Sequence, residues 1–291
     1  MDLNPAQLDT LVAIVEAGSF EAAAERLHVT PSAVSQRIRS LEKTAGQVLV
    51  SRGAPCRATP HGERLVQLGR QTRLLYDEAR QALGTVGAVD LPVVINADSL
   101  GTWFRDVLTG IAGWDGTAIS LRIEDEWYSH ELLRRGDVLA AVTSSPDTVQ
   151  GCISERLGSM SYIPAASPQF AERWRRADGQ PDWGGMPVLV FNDKDRIQHD
   201  QLRLHTDSFP PVVHYVPSTS DFYEAIRLGL GWGMAPELQV RDHLADGSVV
   251  RLPGAVTDVP LHWQRWRLDS PRLAALTEAV RRAARRHLTP G

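Results

Sequence analysis

Polar side chains on one face of a helix near the N-terminus have the chemistry that DNA recognition requires. Hydroxyl, amide and guanidinium groups hydrogen-bond to base edges and phosphates. Such groups are carried by Ser32, Ser35, Gln36 and Arg39, with Arg37 and Lys43 beside them. Only Glu42 opposes this charge, so the face is locally basic although the whole chain has a formal net charge of -4. The residues alone leave two interpretations open: a DNA-binding helix, or the solvated face of a three-helix bundle.

Acidic and hydroxyl side chains form a second group, at the predicted ends of strands and starts of helices. Helix N-termini with hydroxyls suit a ligand carboxylate, whereas several carboxylates together suit a cation. A zwitterion with a basic side chain would use both. The alternative is that Asp98, Ser99 and Ser220 are only helix caps. The predicted binding residues are Asp98, Ser99, Thr102, Glu124, Asp125, Thr143, Asp193 and Thr219.

Three short helices position the first group. Capping residues followed by apolar residues at helical spacing predict helices over residues 5–17, 20–27 and 31–45. Thr30 caps the third helix, and Gly46 ends it. This arrangement indicates a helix-turn-helix at about residues 21–40. Strands over 48–52 and 55–59 predict a β-hairpin wing, whose Arg52 and Arg57 would lie near phosphates.

A long helix follows from Pro60. Its apolar side chains are more numerous than a connecting helix in water would expose. They include Leu65, Leu68, Leu75, Ala79 and Ala82. The pattern predicts a dimer seam, and dimers suit paired half-sites on DNA.

Strands alternate with helices in the rest of the chain. Apolar runs predict strands over 92–96, 119–124, 138–142 and 188–191, and helices over 99–111, 129–136, 220–228 and 271–287. This alternation predicts a mainly parallel α/β sheet, whose ligands bind at the carboxyl ends of the strands. A small-residue hinge is predicted over residues 84–91.

Several classes of protein are not supported. Cys56 and Cys152 are far apart in sequence, so neither a disulfide scaffold nor a cysteine-rich zinc site is expected. No signal peptide or membrane span is visible, which predicts a cytoplasmic protein. His130-Glu131 is followed by Arg134 where a zinc-protease motif needs histidine, and no nucleotide-binding or nucleophile motif occurs. We therefore expect no catalytic residue, metal or cofactor.

The N-terminal motifs resemble a known family. The stretch from Phe20 to Ile38, with Leu49–Arg52 and Thr59–Gly62, is similar to the DNA-binding domain of LysR-type transcriptional regulators. The resemblance implies a winged helix-turn-helix plus a periplasmic-binding-protein-like α/β effector domain. That domain would have two subdomains around an effector cleft, the first completed by the last helix. The implied division is 1–59 for DNA binding, 60–83 for the linker helix, and 92–291 for the regulatory domain.

A narrower resemblance concerns the regulatory domain. Residues 96–103, 124–126, 133–138, 170–172 and 234–236 look like the LysG and ArgP branch of the family. That branch senses lysine, arginine or histidine and activates a basic amino acid exporter gene. The resemblance thus implies four partners: promoter DNA, a basic amino acid, RNA polymerase, and further copies of the chain as a dimer or tetramer.

The resemblance also assigns roles to residues. In the DNA-binding domain, Ser32, Ser35, Gln36 and Arg37 would meet the major groove after the Thr30 cap, and Arg39 and Arg52 would contact phosphates. In the effector domain, Ser99 and Thr102 would hold the α-carboxylate, and Asp98, Glu124 and Asp125 the cation.

The resemblance also implies a division of the regulatory domain, and two alternative functions stay open. Subdomain I is expected at about 92–163 and 267–291, and subdomain II at about 164–266. The effector could instead be a different small metabolite. A remoter alternative is an amino-acid-processing enzyme with a DNA tether.

Overall fold

A computed structural model describes residues 3–85, 87–124 and 126–290, with the backbone alone for residues 126 and 127. The helices are α1 (Pro5–Ala17), α2 (Phe20–Arg26), α3 (Pro31–Ala45), α4 (Pro60–Ala82), α5 (Ala97–Gly101), α6 (Arg105–Ile111), α7 (Glu126–Arg135), α8 (Pro168–Arg173), α9 (Ile197–Arg203), α10 (Thr219–Arg227), α11 (Glu237–Ala245) and α12 (Pro271–His287). The strands are β1 (Val50–Ser51), β2 (Arg57–Ala58), β3 (Val89–Ile95), β4 (Thr117–Ile123), β5 (Ala140–Thr143), β6 (Cys152–Ala166), β7 (Val188–Val190), β8 (Val213–Tyr215), β9 (Gly233–Pro236), β10 (Val250–Arg251) and β11 (Thr257–Trp266).

The N-terminal domain folds as its capping residues predict. The side chains of Asn4, Ser19 and Thr30 each accept a backbone N–H in the first turn of α1, α2 and α3. Gly18 and Gly46 end α1 and α3 in the left-handed conformation that glycine adopts without strain. Strands β1 and β2 pair antiparallel as the wing. The apolar faces of the three helices form one core with the wing.

Helix α4 packs on both the N-terminal domain and the α/β region. In its first half, Gly69 allows close packing on α1, because a Cβ there would lie 2.8 Å from Val12 Cγ2. In its second half, Leu74 is buried in the core of the α/β region. Glu78 accepts hydrogen bonds from the Ser270 hydroxyl at 2.6 Å and from the Arg272 N–H at 3.2 Å. Helix α4 thus forms a docked connection along its whole length.

The large sheet is mixed, which corrects the expectation of a mainly parallel one. Its strand order is β10-β6-β11-β5-β3-β4, and β9 also pairs with β6. Strand β3 is parallel to β4 and β5, as the alternation predicts. The longest pair, β6 with β11, is antiparallel because the chain crosses between two lobes and then returns. A smaller parallel pair, β7 with β8, lies in the second lobe.

Strand pairing also shifts two predicted boundaries. The chain returns to the first lobe within β11, where His262–Arg265 pair with β5, rather than at residue 267. The predicted hinge is shorter, since β3 already includes Val89–Leu91. The physical reason is burial: the side chains of Val89 and Leu91 lie in the core of the first lobe.

The helix predicted over residues 99–111 is interrupted, which is a second correction. Helix α5 ends at Gly101 and α6 starts at Arg105. Between them the side chains of Trp103 and Phe104 are buried and stack edge to face. Burial of two large rings outweighs continuation of the helix.

No helix in the described ranges is long and apolar enough to span a membrane.

Candidate functional site

The proposed DNA-contacting residues are grouped around α3. Ser32, Gln36 and Arg39 are exposed, Ser35 is half-buried, and the opposite side of α3 is packed in the core. Thr30 caps the helix by accepting the Ala33 N–H at 3.2 Å. A capped, rigid helix with an exposed polar face has the geometry that fits the major groove.

Arg37 is engaged within the domain. Its guanidinium donates one of its five N–H groups to the Thr10 hydroxyl of α1 at 3.4 Å. Arg52 in the wing is exposed and lies over the Phe20 ring, 5.4 Å from its centroid. This cation–π contact joins the wing to the start of α2.

Asp98 connects the two lobes. One carboxylate oxygen accepts from the Tyr162 hydroxyl of β6 at 2.7 Å, and the other accepts from the Thr219 hydroxyl of α10 at 3.0 Å. The start of α5 in the first lobe therefore contacts the start of α10 directly. The approach is close, because a Cβ on Gly101 would lie 3.1 Å from Thr219 Cγ2.

Ser99 and Thr102 differ in their free hydrogen-bonding capacity. Ser99 is 0% exposed, and its hydroxyl has no hydrogen-bond partner within the described chain. Buried polar atoms are normally paired, so this hydroxyl is available to a bound ligand. The Thr102 hydroxyl instead donates to the Asp98 backbone carbonyl. In this arrangement its one proton is engaged within the chain, so the predicted contact with a ligand carboxylate requires the hydroxyl to rotate.

The remaining predicted residues occupy different environments. Glu124 follows β4 and is half-buried, at the same sheet edge as the end of β3. Thr143 ends β5, is buried, and accepts the Ser145 N–H at 3.2 Å. Asp193 is exposed in the second lobe. Asp125 lies outside the described residues.

Two residues of the cluster around Asp98 are missing from the sequence prediction. Tyr162 lies in β6, a strand that the predicted elements omit. A tyrosine hydroxyl in an apolar run needs a partner, which is the signal that could have indicated it. Asp195 follows β7, accepts the N–H groups of Phe191 and Ile197, and interacts electrostatically with Asp98.

Burial is the main cause of the pKa shifts of Asp98 and Tyr162. Burial raises the pKa of Asp98, and the negative charge of Asp195 raises it further against the opposing hydrogen bonds from Tyr162 and Thr219. Burial also raises the pKa of Tyr162 well above its ordinary value, so its hydroxyl stays protonated and donates to Asp98. None of the described groups that shift the pKa of Asp98 is basic. Among the described residues, Asp98 is therefore paired with hydroxyl groups and not with a cationic side chain.

Comparison with known proteins identifies the family. Residues 5–63 match the bacterial regulatory helix-turn-helix protein lysR family, and residues 114–286 match the LysR substrate binding domain. The chain belongs to the LysR family. Its winged helix-turn-helix and two-lobed α/β domain are the LysR architecture, and the chain is a DNA-binding transcriptional regulator.

Similar LysR-family proteins cover nearly the whole chain. The lysine export transcriptional regulatory protein LysG of Corynebacterium efficiens is 50% identical over 97% of this chain and 98% of its own. Full-length LysG from Corynebacterium glutamicum, solved with bound effector Arg, is 46% identical with a TM-score of 0.85 and covers 99% of this chain and 100% of that one. ArgP from Mycobacterium tuberculosis is 44% identical with a TM-score of 0.89, and each chain is fully covered.

Proposed function

We propose that this LysR-family regulator senses a basic amino acid in the cleft between its lobes. The observation that carries the proposal is the Asp98 carboxylate, partly buried beside Asp195 and shifted by no basic side chain among the described residues. A cationic ligand would supply the missing positive charge. The LysG structure with bound Arg supports the same chemistry.

The proposed ligand binds to both the hydroxyl and the acidic side chains of the cleft. The unpartnered Ser99 hydroxyl donates to the α-carboxylate, and Asp98 and Glu124 accept from the cationic nitrogens. A neutral amino acid brings one ammonium group, which is less positive charge than Asp98, Asp195 and Glu124 together can pair. The pair of Asp98 and Asp195, with Glu124 at the end of β4, therefore favours arginine or lysine over a neutral effector. The proposed site also includes Thr102, Thr143, Asp193 and Thr219, together with Asp125, which lies outside the described residues.

The regulatory role follows from the DNA-binding domain and the relatives. In this proposal the residues that bind promoter DNA in the cytoplasm are Thr30, Ser32, Ser35, Gln36, Arg37, Arg39 and Arg52. Effector binding changes the regulator's contacts with DNA and RNA polymerase and activates a basic amino acid exporter gene. The lysine export function in the relatives' names supports this target.

The residue ranges act as separate functional units in the proposal. Residues 1–59 bind DNA, 60–83 form the linker and dimerisation helix, and residues from β3 onward bind the effector. In the proposal, subdomain I takes in the β5-paired half of β11 in addition to residues 267–291, and the pairing of His262–Arg265 with β5 supports this.

Calorimetric titration tests the effector. We expect L-arginine or L-lysine to bind. Norleucine, which has the apolar stem of lysine without the side-chain ammonium, should give no signal. L-histidine belongs in the same panel. Equal binding of norleucine would contradict a site built for a cationic side chain. A protein that binds DNA but none of these amino acids would overturn the effector assignment.

A second copy of the chain is proposed to cover α4. Leu68, Leu75, Tyr76 and Leu83 are exposed along this helix, and Leu83 is 77% exposed. Leu68 and Leu75 are seven residues apart, and Tyr76 and Leu83, the residue that caps the helix, repeat that spacing one position further on. The four side chains therefore form one stripe, as in a helix–helix seam. Covering such a stripe removes apolar surface from water, which favours association.

The variant Leu75→Glu is expected to dissociate the seam, because it places a charge within it. Sedimentation velocity should give the wild type at least twice the 32.1 kDa chain mass, and the variant a clearly lower mass. Leu204→Glu is the matched control, since Leu204 is 64% exposed in the second lobe. An unchanged mass for Leu75→Glu would place the interface elsewhere.

A further inference from the structure

Arg70 in the middle of α4 contacts three parts of the molecule at once. Its guanidinium donates to Glu16 of α1 at 3.2 Å and to the Arg135 backbone carbonyl at 2.9 Å. It also pairs with the Asp137 carboxylate at 2.7 Å. The Arg70 side chain is only 13% exposed, so these contacts are partly shielded from water and salt. Through this one residue, the DNA-binding domain is joined to the regulatory domain.

The regulatory side of this junction is the end of α7. Gly136 terminates α7 with a φ of 70°, and a Cβ there would lie 3.2 Å from Gln67 Cα of α4. Arg134 adds a second bridge, to Glu63 of α4 at 3.1 Å. The C-terminal end of α7 therefore packs directly against the linker helix.

The other end of α7 lies at the proposed effector cleft. Helix α7 begins at Glu126, two residues after Glu124, and spans about 15 Å at 1.5 Å per residue. Leu133 anchors it in a small core with Val94 of β3 and Ala141 of β5. Helix α7 is therefore one continuous, packed element between the end of β4 and the Arg70 junction.

We propose that Arg70, through Asp137 and the end of α7, couples effector occupancy to the position of the DNA-binding domain. This inference rests on the proposed effector function. Arg70 acts here as a positioning residue: it contacts neither the cleft residues nor the DNA-contacting face of α3. Closure of the cleft on an effector displaces the start of α7, and Arg70 transmits the displacement to Glu16 in α1.

Hydrogen–deuterium exchange on the full-length protein, with and without L-arginine, tests the coupling. In the wild type, arginine should protect the cleft segments 96–104 and 218–225 and change exchange in α1 and the first half of α4. A coupling of ordinary allosteric strength changes such rates by about 5- to 150-fold. In Asp137→Asn the cleft protection should persist and the remote change should be lost. Asp137→Glu should restore it.

The outcomes separate this inference from the proposed function. Arg203→Gln is the matched control, because it removes an exposed arginine pair with Asp200 and should leave both effects intact. A remote change that survives in Asp137→Asn, or that is absent from a wild type with a protected cleft, would overturn the coupling alone. A wild type without cleft protection would overturn the effector function and the coupling with it.

Discussion

Replacement of Asp98 by asparagine should weaken arginine binding by roughly 30-fold or more. Truncating or neutralising one partner of a buried, hydrogen-bonded charge pair costs about 2–5 kcal/mol. Asparagine keeps the size of the side chain and can still bond to Tyr162 and Thr219. Calorimetry with L-arginine measures the loss. Wild-type affinity in Asp98→Asn would show that the cation binds elsewhere.

The same substitution should stabilise the unliganded protein at neutral pH. Because burial raises the pKa of Asp98, the folded state favours its protonated form. The free energy of unfolding therefore falls as the pH rises from the ordinary aspartate pKa through the raised one, and it stays lower above that range. Asparagine has no ionisable side chain, so it removes this loss of free energy of unfolding at neutral pH. Thermal melts at pH 7 should give a higher Tm for Asp98→Asn, whereas an equal or lower Tm would contradict an uncompensated carboxylate.

Replacement of Gln36 by alanine should reduce specific promoter affinity by roughly 5- to 100-fold. A good base contact discriminates by about 1–3 kcal/mol, and Gln36 is exposed on α3. Alanine is a strong helix former, so α3 should remain intact. Fluorescence anisotropy with specific and scrambled DNA measures the effect, and affinity for scrambled DNA should stay unchanged.

Two variants control the Gln36 experiment. Gln47→Ala removes the same side chain just beyond α3 and should leave both affinities at wild-type values. Arg39→Ala should weaken binding to all sequences and reduce the salt slope by about 1, as loss of one phosphate contact does. If Gln36→Ala weakened specific and scrambled DNA equally, Gln36 would be a backbone contact.

Local signals in the sequence are sufficient to predict the helices of the DNA-binding domain. Asn4, Ser19 and Thr30 cap helices, and Gly18 and Gly46 end them, because capping and left-handed turns depend on neighbouring residues. The α12 boundaries follow from the same local rules. The family resemblance then predicted the two-lobed regulatory domain, which its residue pattern alone did not.

Long-range contacts explain why some parts of the fold and of the site could not be predicted from the sequence. Asp98 meets Tyr162 and Thr219, which are 64 and 121 residues away in the chain. No local pattern predicts such pairs, and β6, which carries Tyr162, was omitted from the predicted elements. The break between α5 and α6 likewise depends on tertiary burial of Trp103 and Phe104. The hydrogen bond from Arg37 to Thr10, 27 residues away, is another contact that no local pattern predicts.

A crystal structure of the full-length protein with L-arginine would test the central claim most directly. We expect one arginine between the lobes, with a cationic nitrogen about 3 Å from an Asp98 carboxylate oxygen and the α-carboxylate at a similar distance from the Ser99 hydroxyl. Arginine bound outside this cleft, or within it with the Ser99 hydroxyl unpaired and Asp98 bonded only to Tyr162 and Thr219, would contradict the account.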